Sequence, residues 1–145
     1  MKKVLLASAL AAVLAFSATA AASSSPAAYK AQVNGICAKG VAALNAIPKA
    51  KTAAGLYPYF KQAVALSDKL VLKIAAITPP LSLQKSVGHA IDLQVAFQKA
   101  LHVLVAKLKT SSDPKATFTA AEPKLNSLNA KANKAWNAAG LVKCG

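Results

Sequence analysis

There is no arginine in this chain. All eighteen basic residues are lysine, and they face only four acids, Asp68, Asp92, Asp113 and Glu122. Arginine's planar fork is the usual means of reading carboxylate, phosphate or guanine through paired hydrogen bonds. Without it a sequence-specific nucleic-acid reader is not expected, whereas diffuse attraction to anionic surfaces remains open. Methionine is as scarce. Met1 is the only one, so thioether ligation of haem or copper(I) has no ligand in a processed chain. A single glutamate cannot build a carboxylate-bridged di-iron centre. No C-x-x-C-H run attaches haem, and no glycine-rich phosphate loop follows a strand. A secreted helical chorismate mutase would need arginines for its dicarboxylate substrate. The two histidines add little. His89 and Asp92 are spaced i, i+3, but a metal site needs three or four ligands, so a solvated pair is expected. His102 borders an apolar stripe and reads as a boundary histidine. No metal, no cofactor and no enzymatic activity are expected.

Aromatic residues make up 6% of the chain, while 55% is hydrophobic and much of that is alanine. Such a composition suits helices that approach closely rather than a bulky β-core. Few runs alternate Val, Ile or Thr with polar residues, so a sheet is not expected.

Met1-Lys2-Lys3, the uncharged apolar run Val4 to Phe16 and the small residues "SATAAA" have the layout of a secretory signal peptide. Residues 1–22 are read as this leader, with cleavage after Ala20 or Ala22; retention as an anchor is the alternative. No lipoprotein-type cysteine follows the apolar run. Residues 23–145 then form one helical-bundle domain, without a transmembrane segment and with a formal charge of +12 once Lys2 and Lys3 are removed.

Four amphipathic segments are punctuated by breakers. Ser25-Pro26 opens the first as N-cap and first helical residue, and Pro48 stops it. Tyr29, Val33, Ile36, Cys37, Gly40, Leu44 and Ile47 share its apolar face, with Gly35 and Gly40 expected at close packing. The second carries Leu56, Tyr59, Ala63, Leu66, Leu70, Ile74 and Ile77 and ends before Thr78-Pro79-Pro80. Ser82 is the expected cap of the third, whose face holds Val87, Ala90, Ile91, Phe97, Leu101, Leu104, Val105 and Leu108. Asp113-Pro114 starts the fourth. Its apolar positions from Phe118 to Ala139 stay in phase across Pro123, so one kinked helix is expected rather than two. Gly140 supplies a left-handed stop with Leu141 packing after it. Short connections favour an all-α, up-down-up-down four-helix bundle.

The two cysteines are Cys37 and Cys144. In an exported protein such a pair is usually joined; free thiols or an intermolecular bridge are the alternatives. In the bundle the fourth helix ends near the start of the first. Cys37 lies ~16 Å along that helix, and a tail from Gly140 to Cys144 spans ~13 Å if extended. Folding back would bring the sulfurs together and stabilise the chain by ~4 to 5 kcal/mol in the chain-entropy model.

The same topology gathers Lys49, Lys51, Lys107, Lys109 and Lys115 at one end, beside Tyr57 and Tyr59 of "GLYPYF". Lysines with aromatic neighbours suit an anionic envelope polymer, lipid headgroups or single-stranded nucleic acid. The bland reading is that lysines favour helix C-termini for dipole reasons.

The segments "ICAKGVAALNAIP", "LVLKIAAITPP" and "NKAWNAAGLVKCG", in that order, resemble small secreted or lipoprotein-like helical proteins of actinobacteria. Their outline is a helix with I-C, a helix ending L-x-x-L-x-P-P and a closing A-x-x-x-G-L-x-x-C-G. The resemblance spans nearly the whole processed chain. It implies export and a Cys37–Cys144 disulfide. It brings no activity, and hence no catalytic or binding residues. The expected protein is a monomeric, non-enzymatic, secreted or envelope-associated bundle that binds anionic polymer or membrane surface through its lysine-rich end. The alternative is a carrier holding a small apolar ligand between its helices.

Overall fold

The structure is a computed structural model, and it describes residues 25–145. The expected leader lies outside these residues. Prolines and their neighbours set most boundaries. Ser25 caps α1 (Pro26–Asn45), its hydroxyl accepting from the Ala28 amide, with Pro26 in the first turn. After a short 3₁₀ turn at Ala53–Gly55, capped by Thr52, comes α2 (Leu56–Ala75). The third helix, α3 (Leu81–Thr110), begins one residue before the expected serine cap. Pro80 holds the cap position instead. Its ring fixes φ, here −57°, and its carbonyl accepts from the amides of Leu83 and Gln84. Ser82 therefore sits inside the first turn. Asp113 caps α4 (Pro114–Ala138) through Oδ1 to the Ala116 amide at 3.0 Å. Helix α4 runs unbroken through Pro123, which lies exposed.

The result is an all-α four-helix bundle, with no strand among the described residues. Helices α3 and α4 make the most extensive backbone pair, α2 packs on α3, and α1 leans on α2. Gly40 explains that last approach. A Cβ there would stand 2.7 Å from the Leu70 methyls. Gly35 has open space around it and is not a packing glycine.

The core forms two clusters. The larger joins Tyr29, Val33 and Cys37 of α1 to Ile74, Val87, Ala90, Trp136 and Leu141. The smaller, at the opposite end, joins Leu104, Leu108 and Leu125 to Leu56, Tyr57, Phe60 and Phe118 around their rim. Between them α3 turns two glutamines inward. Gln94 Oε1 accepts from the Trp136 indole at 3.1 Å, and Gln98 Nε2 donates to Ser67 of α2 at 2.7 Å. Gln98 is 6% exposed and its Oε1 has no partner. The apolar faces read from periodicity are otherwise largely inward, with two shifts: Val64 is buried on α2 whereas Leu66 is only half-buried.

The chain end is a compact hook rather than an extended tail. Gly140 takes φ 76°, the Leu141 amide reaches back to the Trp136 carbonyl, and the Gly140 amide to Asn137. These are the two bonds of a Schellman stop. A further turn follows, Cys144 N–H to the Leu141 carbonyl at 2.9 Å. It suffices because α4 already ends beside α1, where Leu141 is fully buried. Cys144 is bonded to Cys37 with their Cα atoms 5.0 Å apart, and no cysteine is free among the described residues. Asn34, one turn before Cys37, clasps the hook from α1. Its amide nitrogen donates to the Gly140 carbonyl at 3.4 Å, and its oxygen accepts from the Lys143 amide at 3.0 Å.

Candidate functional site

Two candidate surfaces share Lys107. The first is the set of lysines expected at one end. Lys49 and Lys51 lie in the loop after α1, Lys107 and Lys109 in the last turn of α3, and Lys115 in the first turn of α4; all are exposed. The dipole of α3 favours the pair at its C-terminus, but Lys115 sits at a helix N-terminus, where a positive charge is disfavoured. Asp113 is the one acid in these segments, and its carboxylate is engaged as the α4 cap. The aromatics are committed to packing. Tyr57 lies against the smaller cluster with the Lys61 ammonium 5.9 Å from its ring centre. Tyr59 meets Phe60 edge to face at 5.1 Å, and Phe60 packs on Phe118 at 5.3 Å. Both tyrosines keep partial exposure, but their rings are engaged with Lys61 and Phe60 rather than free for stacking.

The second surface is a groove of about 510 Å³ between α3 and α4. Ala100, Leu104, Ala121, Leu125 and Leu128 make its floor, with Lys99, Lys107 and Lys124 at its margins. Val103 stands in it 55% exposed. Sequence periodicity missed this groove. Alanines facing one another let two helices close, yet leave the space outside the contact unfilled, and alanine reads equally well as core or surface. A smaller furrow of about 370 Å³ between α1 and α2 has Lys39, Lys69 and Lys73 around Ile36 and Leu70. A crevice of about 240 Å³ is lined mainly by apolar groups such as Leu70, Ile74 and Trp136, with Gln94, Asn133 and the disulfide among them.

The titratable side chains are dispersed. His89 and Asp92 are both exposed, with no ion pair between them. His102 reaches across to Asp68 of α2, Nε2 to Oδ2 at 3.0 Å, the one close contact between a basic side chain and a carboxylate among the described residues. No group of three or more His, Cys, Asp or Glu is placed to hold a metal ion among the described residues. No helix among them is long and apolar enough to cross a membrane.

No family model, no curated protein and no solved structure matches this chain.

Proposed function

We propose that this is an exported, non-enzymatic binding protein that docks its lysine-rich end onto an anionic surface of the cell envelope. One observation carries the reading. Lys49, Lys51, Lys107, Lys109 and Lys115 are all exposed, none is ion-paired among the described residues, and Asp113 is occupied by its own helix. Such a cluster creates a positive potential that acts over about a Debye length, roughly 8 to 10 Å at moderate salt. Lysine suits this role because its ammonium is a hydrated point charge that needs no fixed geometry. Export is supported by the leader-like first residues and accords with the disulfide.

The test is retention on a polyanion resin and on vesicles containing anionic lipid at low salt. The parent should be retained and released as salt rises. Changing the five lysines to glutamine should abolish retention on both supports. If the variant is retained as strongly as the parent, the lysine end is not the docking surface.

The groove between α3 and α4 favours a second reading, that of a carrier for a small apolar ligand. Its volume falls in the ordinary range for small-molecule sites. The protein isolated from its native source should then release a lipid-like molecule into organic solvent, seen by mass spectrometry.

A further inference from the structure

We infer that the groove between α3 and α4 binds a single-chain anionic amphiphile, a linear alkyl chain ending in a carboxylate or phosphate. This deepens the carrier reading and rests on it. The floor supplies the first argument. Ala100, Leu104, Ala121, Leu125 and Leu128 line the trough with apolar groups, Thr117 is its one uncharged polar residue, and Val103 holds a half-exposed isopropyl group in it. Methylenes laid over this trough remove apolar surface from water on both partners.

Shape supplies the second. The trough follows α3 from Ala96 to Lys107, a length of about 16 Å at the helical rise. A furrow between two antiparallel cylinders is long and narrow, which fits one extended chain better than a fused ring system.

The rim supplies the third. Lys99, Lys107 and Lys124 line the trough and no acid does. None of these ammoniums is ion-paired among the described residues. Lysine stems lie along apolar surface while the charged head stays wet, so each head can meet an anionic group at the trough's edge. A cationic amphiphile would satisfy the floor and be repelled by the rim. The α1/α2 furrow has a similar rim, but it is smaller and has no comparably exposed large hydrophobic residue.

Calorimetry on the exported protein tests this with sodium dodecanoate, dodecyl phosphate, dodecanol, dodecyltrimethylammonium and butyrate, all kept below aggregation. Dodecanoate and dodecyl phosphate should bind one to one, at least tenfold tighter than dodecanol, with no binding of the cation or of butyrate. Each added methylene from octanoate to dodecanoate should raise affinity about two- to fourfold. Ala120→Phe fills the trough from an exposed position and should weaken dodecanoate at least tenfold. Ala43→Phe, in the α1/α2 furrow, should leave it unchanged. The triple change of Lys99, Lys107 and Lys124 to glutamine should bring dodecanoate down to the affinity of dodecanol. Equal binding of dodecanol and dodecanoate to the parent would overturn the anionic assignment while the carrier reading stands. Binding of neither would overturn both. Loss in Ala43→Phe with none in Ala120→Phe would place the ligand elsewhere and overturn the site.

Discussion

Tyr29 holds its hydroxyl where neither solvent nor a hydrogen-bond partner reaches it. Burial raises its pKa above the ordinary phenol value of 10.0, because the phenolate would be stranded from water. A group whose native pKa exceeds its unfolded one contributes stability that is complete below the unfolded value. That contribution is lost as pH climbs through the native value. This tyrosine should therefore leave stability unchanged below about pH 10 and erode it above. Tyr29→Phe removes both the alkaline loss and an unsatisfied buried group, which costs about 1 to 3 kcal/mol. Urea unfolding should find the variant at least as stable as the parent at neutral pH, with the gap widening at high pH. A gap that narrows at high pH would contradict the buried phenol. Asn34 shows the opposite economy, since one amide satisfies two backbone groups of the hook. Sequence alone did not single it out. Its spacing of three from Cys37 was the available signal, because that spacing puts it over the same turn as the thiol.

At the scale of the helix, Pro123 is the anomaly. It denies the Thr119 carbonyl its helical partner, yet α4 continues past it. The ring is exposed, so the cost is confined to the missing bond and local bending. Pro123→Ala should stabilise the protein by about 1 to 2 kcal/mol, less than the ~3 kcal/mol of an ideal helix interior because proline also restricts the unfolded chain. The midpoint of chemical denaturation reads this directly; an unchanged midpoint would mean the helix has already accommodated the ring. The boundaries were legible in the sequence wherever a breaker and a cap coincide, as at Ser25-Pro26 and Asp113-Pro114. At Pro80 they do not coincide: the proline holds the cap and Ser82 falls inside the first turn. Side-chain periodicity identified the inner faces but not Gln98, a polar residue buried because Ser67 stands opposite it. That partner lies 31 residues away, and no local pattern announces it. Leu72, 69% exposed, and Val103 are the converse. Their type says core and their angle around the helix says water.

At the scale of the molecule the disulfide closes nearly the whole described chain on itself, its two cysteines standing 107 positions apart in sequence. The protein should be lighter by two hydrogens than its dithiol form in intact mass. Reduction should lower stability by about 4 to 5 kcal/mol, a large share of the ~5 to 15 kcal/mol typical of a domain. Unfolding with and without reductant measures it, and overlapping curves would show that the bridge constrains little. The pairing was readable because only one partner existed; the groove was not, because it arises from what two helices fail to fill. The layer of Gln94 and Gln98 between the two core clusters has a mechanical consequence. The end that holds the larger cluster is fastened covalently and by hydrogen bonds, through the Cys37–Cys144 bridge, Asn34 and the Trp136 indole. The smaller cluster is held by side-chain packing alone, so reduction of the bridge should loosen the first end and leave the second as it was.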